Sequence, residues 1–451
     1  MTVGRARVSY GGVLVFGCVA LFCAIYVDLV FYRVHALLLG VDTGTYLQTL
    51  VNFVHSGSTF NLGEHRPKLT VHDSWTVIVA LAPLIAVSPN VETLLTAGVV
   101  IVAAAAIPLY AFARSLDLSE YGATALAIAY LLSPAAQGWA FGNFTESDFV
   151  PILAFSLALA ARKRSLLWTI LLAQLLTGVK EDECLFLIMF GLASIRWYDR
   201  TLGVAVFGIG GLNFAAYWLL VHVAGYAPHN PPYRMWDPHW LTHLAFLAEQ
   251  LAPFAFAPLL LGPRLLFGIP FYLEITFNEP WLSEMAHGGS HYTVPLVTII
   301  AIGSAVAASE HPRFLRLVLP CAFLSALLLN TTVLRFGRHE VPPDWTRYCA
   351  ATRAAADGSG HTYRIEDEGQ FAIAAANPKV DFRNEGRKSL VDHPPWWSGT
   401  TPPVSSSGAA GCRPSASIPL RGDRTVLPSG QVRAAGVEYR VAYDLRAPAL
   451  D

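Results

Sequence analysis

The sequence predicts an all-α polytopic membrane protein: a helical bundle of about eleven spans over residues 1–335, then a small tail over 336–451 of mixed or partly disordered structure. Three observations predict it. Hydrophobic residues make up 54% of the chain and charged ones 14%, with a mean hydropathy of +0.44, far from the balance of a water-soluble domain. The apolar residues fall into successive runs bounded by charges, Pro and Gly. The charges are also unevenly spread: Gly11 to Tyr32 contains only Asp28, whereas the chain from Arg335 onward is rich in Asp, Glu, Arg and Pro.

The elements follow in order. Gly11 to Tyr32 is too long for a signal-peptide core and lacks a small-residue cleavage site, so it reads as an uncleaved first span. Arg5 and Arg7 before it set the N-terminus in the cytoplasm and residues 33–92 outside as the first outer loop. Within that loop Ser74 to Ser88, short and interrupted by Pro83, reads as an interfacial or re-entrant helix; counting it as a crossing would reverse every later loop. Spans are then expected at Thr93–Phe112, Tyr121–Trp139, Phe149–Ala161, Leu166–Val179, Cys184–Ile195 and Leu202–Ala224, with an outer loop from there through Gln250. A pair at Leu251–Leu261 and Leu265–Ile275 turns at Gly262-Pro263-Arg264, and a second pair at Thr293–Ala308 and Phe314–Leu334 turns at His311-Pro312-Arg313. On this alternation Arg114, Arg162, Lys163, Arg164, Arg196, Arg200, Arg264 and Arg313 all fall inside, and the acids collect outside. The tail emerges outside, where Cys349 and Cys412 could be oxidised to one bridge, while Cys18, Cys23, Cys184 and Cys321 sit in apolar runs as packing residues.

Composition also excludes functions. A net charge of −1 without basic clusters argues against nucleic acid, which needs cations to displace counterions from phosphates. The span interiors contain almost no ionisable groups, which disfavours an ion-coupled transporter. Gln137, Gln174, Thr177 and Asn213 read as hydrogen-bonding partners between helices.

Chemistry is expected at the outer helix ends. Three segments stand out: Asp42 just after the first span, Asn143 to Asp148 with Glu146, and Lys180-Glu181-Asp182. Each has a plainer reading, Asp42 as a helix cap, 143–148 as cap and loop, and 180–182 as a snorkelling interface anchor. Together they put carboxylates from separate stretches on one side of the membrane, as a general base or a divalent cation would require. His72, His291 and Tyr292 fall on the same side and could bind a phosphate or metal, or simply form part of an interfacial belt.

The ordered set Asp42-x-Gly44-x-x-x-Gln48, His72-x-Ser74, Glu146 with Pro151, Val179-Lys180-Glu181-Asp182 and His291-Tyr292-x-x-Pro295 resembles an uncharacterised bacterial and archaeal family of predicted multi-pass membrane proteins related to the GT-C glycosyltransferases. The resemblance covers roughly Val41 to Leu334; Asn143-Phe144-Thr145-Glu146 departs from the family's usual Asp-Phe-His-Glu. It implies a GT-C-like bundle that moves a sugar from a polyprenyl-phosphate donor to an extracytoplasmic acceptor. Asp42 would be the general base, and Glu146, Lys180, Glu181, Asp182, His72, His291 and Tyr292 would line the substrate. The alternatives are a lipid or polysaccharide transport component without catalysis, or a membrane anchor presenting its tail.

Overall fold

A computed structural model describes residues 9–61, 66–67, 74–223, 240–277 and 293–329, and in the tail 345–356, 363–365, 372–377, 380–382, 425–427, 431–434 and 437–440. Those residues are mostly helical. α1 (Tyr10–His35) has 26 residues, about 39 Å at 1.5 Å per residue, enough to cross roughly 30 Å of hydrocarbon. α2 (Val41–Ser56) follows and ends in a left-handed Gly57, then comes the small hairpin of β1 (Phe60–Asn61) and β2 (Arg66–Pro67). α3 (Trp75–Val87) has 13 residues with Pro83 inside.

α4 (Val91–Ala104) runs into α5 (Ala106–Ser115) as one apolar rod. The expected span at 121–139 is instead two helices, α6 (Glu120–Leu132) and α7 (Pro134–Phe141). The cause is local: Ser133 accepts the Ala136 N–H at 3.2 Å and Pro134 occupies the first turn, so the chain restarts there. α8 (Val150–Arg162), α9 (Leu166–Thr177), α10 (Glu183–Trp197) and α11 (Arg200–Val223) match expected spans within a few residues. α10 and α11 approach closely, since a Cβ on Gly191 or Gly203 would come within 2.6 Å of backbone nitrogen on the facing helix; small residues allow that contact in a bilayer.

Two expectations need correcting between 240 and 277. The region assigned to an outer loop contains α12 (Trp240–Leu251), whose Phe246 and Leu251 are buried while Leu241 and Leu244 are exposed. The expected span at 251–261 is not one helix: Ala255 and Phe256 adopt left-handed conformations, and 3-10 turns follow over Ala257–Gly268. The turn at Gly262 is confirmed by its φ of 57° and ψ of −126°, after which α13 (Ile269–Phe277) begins. α14 (Val294–Glu310) and α15 (Leu315–Leu329) complete the bundle. Among the described residues four helices are long and apolar enough to cross a membrane: Tyr10–His35, Val91–Ser115, Arg200–Leu219 and Pro312–Leu329. Five shorter apolar helices accompany them.

The chain divides into two compact units. The first comprises 1–27, 69–80 and 96–334; the second comprises 28–68, 81–95 and 335–451. In the first unit hydrogen bonds tie alternate helix ends together. At one end Arg162 Nε donates to Ser115 O at 3.0 Å, and Tyr198 Oη donates to Arg162 O at 2.7 Å. At the other end Trp139 Nε1 donates to Thr293 Oγ1 at 3.1 Å and Thr76 N donates to Gly178 O at 3.1 Å. The span-interior amides pair between helices as expected. Tyr26 donates to Gln137 at 2.6 Å, and Gln174 faces Asn213 at 3.4 Å. Leaving such a group unbonded in hydrocarbon would cost several kcal/mol.

In the second unit the tail helix α16 (Trp345–Ala356) buries Cys349, Ala351 and Ala354 with Ile373 and Ala374, and Asn377 Nδ2 donates to Ala354 O at 2.8 Å. β3 (Tyr363–Ile365) pairs in parallel with β4 (Val380–Phe382). β5 (Thr425–Leu427), β6 (Gln431–Ala434) and β7 (Val437–Arg440) form an antiparallel meander, so the β-like stretch near Tyr439 is a strand. Cys18, Cys23, Cys184 and Cys321 are free thiols, whereas Cys349 is disulfide-bonded; its expected partner Cys412 lies outside the described residues.

Candidate functional site

The most polar junction in the first unit forms where α9 gives way to α10. Gly178 ends α9, Asp182 precedes α10, and the carbonyls of Lys180, Glu181 and Asp182 accept the N–H groups of Glu183, Cys184 and Leu185. That turn aims Lys180 back along the helix start. Its Nζ lies 2.8 Å from Asp182 Oδ2, with the two side chains only 13% and 23% exposed. A lysine folded onto a carboxylate and this covered is not snorkelling to headgroups, so the interface-anchor reading fails. Burial alone would pull its pKa down, yet the fields of Asp182, Glu181 and Glu146 prevail and hold it well above the ordinary lysine value. The ammonium is therefore charged at any working pH.

Glu146 reaches this group from a different stretch. A 3-10 turn over Glu146–Phe149 precedes α8, whose first turn contains Pro151. Glu146, Ser147 and Asp148 are all buried. The cap reading of this segment holds for Asp148, which accepts the Thr145 N–H at 3.4 Å. Burial first, and then the neighbouring Glu146, push the Asp148 carboxyl well above its ordinary value, outweighing the bond from Thr145. The turn is backed by Gly98 of α4, where an added Cβ would lie 3.1 Å from the Phe144 ring and 3.2 Å from Asp148 Oδ2.

Sequence reasoning missed how this junction is held. The N-terminus of α3 is clamped against it: Thr76 Oγ1 donates to Leu175 O at 2.7 Å, Ser74 Oγ to Val179 O at 3.3 Å, and Thr76 N to Gly178 O. The Trp75 indole covers Gly178 so closely that a Cβ there would fall 2.0 Å from the ring. Two motifs of the ordered set, the one ending at Ser74 and the one from Val179 to Asp182, thus meet in space. Only their order hinted at it.

The structure brings Glu146, Lys180, Glu181 and Asp182 together. His72, His291 and Tyr292 lie outside the described residues, although Thr293, the next residue, is fixed on Trp139. Asp42 belongs to the second unit, half-buried in the first turn of α2. The helix cap there is Gly40, without a side-chain bond, so Asp42 is not the cap; its charge suits the helix N-terminus instead. Among the described residues no group of three or more His, Cys, Asp or Glu side chains is arranged to hold a metal ion.

No curated protein matches the chain. Residues 34–231, which include Asp42, Glu146 and the Lys180 turn, are similar to the family described as Predicted membrane protein (DUF2079).

Proposed function

We propose that the chain is a GT-C-type membrane glycosyltransferase of about eleven spans, with its N-terminus in the cytoplasm and its tail outside, moving a sugar from a polyprenyl-phosphate donor to an extracytoplasmic acceptor. The observation that carries it is the sheltered ammonium of Lys180, the cation that the described residues place among Asp182, Glu181 and Glu146 at one end of the bundle. As a point charge it can meet a phosphate oxygen of a sugar phosphodiester. The carboxylates are acceptors for sugar hydroxyls.

In the reaction the acceptor hydroxyl oxygen bonds to the anomeric carbon, the bond from that carbon to the phosphate oxygen breaks, and the polyprenyl phosphate leaves with a second negative charge. Lys180 then gains attraction as the charge grows, which is stabilisation realised in the transition state. Asp42 takes the acceptor proton, the role that the resemblance gives it. The orientation draws support from the second unit, where Tyr348 of the tail helix donates to Glu92 at the start of α4 at 3.1 Å and stacks edge-on with His35 at the end of α1, 5.1 Å between centroids. It also draws support from the disulfide at Cys349, which belongs in an oxidising compartment.

The test is Glu181→Cys in a chain whose four free cysteines are replaced. An impermeant thiol reagent should label it from outside intact cells, and polyprenyl-phosphate sugar should slow the labelling of purified protein. Labelling only from the cytoplasmic side, or no protection by the donor, rejects the reading.

A further inference from the structure

A second feature of the first unit lies at the opposite end of the same helices. α8, 13 residues and about 20 Å long, runs from the turn that holds Glu146 to Arg162. Around Arg162 the ends of α5, α8, α10 and α14 and the turns over Ala257–Gly268 enclose a groove of about 730 Å³, within the range of about 300–1,000 Å³ typical of ligand cavities. Its walls are apolar, from Phe186, Ala193, Ile299 and Gly303 among others, and its polar groups gather at one rim: Arg162, Arg264, Glu310, Tyr198 and Ser194.

The rim charges do not cancel. Arg264 is paired with Glu310. Arg162 gives only its Nε, to Ser115 O, and lies 5.9 Å from the Tyr198 ring; among the described residues its two terminal nitrogens have no acceptor. A guanidinium with two free donors beside a long apolar groove matches a phosphate attached to hydrocarbon. The same end carries exposed Lys163, Arg164 and Arg196, which add to its positive field.

We propose that this groove binds one anionic phospholipid, its phosphate on Arg162 and an acyl chain between α8, α10 and α14. Its polar rim is separate from the donor site by the length of α8, and it stands whether or not the chain transfers sugar. The lipid would wedge helix ends that are joined by Arg162 to Ser115, Tyr198 to Arg162 O, Arg164 to Asp199 and Arg264 to Glu310.

Native mass spectrometry of the purified full chain in detergent tests it, with phosphatidylglycerol and phosphatidylcholine of identical acyl chains and with polyprenyl phosphate. One phosphatidylglycerol per chain should be retained roughly tenfold more tightly than phosphatidylcholine, whose choline cation offsets the phosphate charge that both lipids carry and is repelled by the basic rim. Arg162→Gln should abolish that preference, and exposed Lys163→Gln should keep it. Ala193→Phe, which fills the groove without touching the rim, should lower retention of both phospholipids, and so tests the site even if Arg162→Gln misfolds. Equal retention of the two phospholipids, displacement of phosphatidylglycerol by polyprenyl phosphate, or unchanged retention in Ala193→Phe overturns the proposal.

Discussion

Replacing Gly178 by Ala tests whether the α3 clamp holds the Lys180 turn. Gly178 has φ −84° and ψ 3°, a conformation open to any L-residue, so the backbone is not strained by a side chain. The cost is steric. An added Cβ would lie 2.0 Å from Trp75 Cε2 and 2.2 Å from its Nε1, and the indole must move. Overpacking of this kind costs about 1–3 kcal/mol. Moving Trp75 also threatens the adjoining bonds from Ser74 and Thr76 to the 175–179 turn, and losing one costs about 1 kcal/mol more. The total of roughly 2–4 kcal/mol is a drop of about 30- to 1,000-fold in the folded ratio. The control is Gly208→Ala in α11, where a Cβ would meet nothing within 4 Å; there the substitution should stabilise by roughly 0.5–1 kcal/mol, because Ala favours helix over Gly. Thermal melts of both variants in detergent, followed by tryptophan fluorescence, give the comparison. If Gly178→Ala melts at or above the parental temperature, Trp75 does not hold the turn and the clamp is incidental.

Three further outcomes are expected. Asp148 has its pKa raised, chiefly by burial, so the folded state holds the proton more tightly than the unfolded one; its contribution to stability is fully present below the unfolded value of about 3.9 and is lost as pH rises through the folded value. Asp148→Asn, which keeps an acceptor for the Thr145 N–H, should therefore melt higher than the parent at pH 8 and lose that advantage toward pH 4; a lower melt at pH 8 would show that the charge is wanted. Tyr348→Phe removes the 3.1 Å bond to Glu92 and should loosen the tail helix by about 1 kcal/mol, read as faster proteolysis within 345–356; unchanged cleavage means the bond does not hold the helix. A reporter fused after Arg164 should be cytoplasmic and one after Val341 external, and a cytoplasmic second fusion would reverse the assignment of Ser74 to Ser88 as non-crossing.

Helix positions were legible because apolar runs bounded by charge encode them: α1, α8, α9, α10, α11 and α14 start and stop within a few residues of the expected spans. The breaks were less so. Ser133-Pro134 is an N-terminal helix signal hidden inside an apolar run, and length alone overrode it. α12 escaped because its residues alternate buried Phe246 with exposed Leu244, a one-sided pattern that reads as loop when only continuous apolarity is sought. Of the site, the grouping of Glu146 with Lys180, Glu181 and Asp182 was anticipated from their expected place at outer helix ends, and α8 and α10 do begin beside one another. The clamp by Ser74, Trp75 and Thr76 was not legible, since nothing local in a sequence says that a tryptophan will cover a glycine about a hundred residues away. Asp42 was read as a cap because Asp precedes helices so often; Gly40 holds that position because the helix starts two residues earlier than a cap at 42 would need.

The central claim is sugar transfer from a polyprenyl-phosphate donor, and the most direct measurement of it is transfer by purified, reconstituted protein from a panel of radiolabelled polyprenyl-phosphate sugars to lipid-extracted envelope acceptors. Parental protein should transfer label from at least one donor. Asp42→Asn should lower the rate by about 10²- to 10⁴-fold with unchanged melting, the usual worth of a general base, and Lys180→Gln should lower it with weakened donor binding. No transfer by the parent from any donor, or parental rates in both variants, would contradict the account.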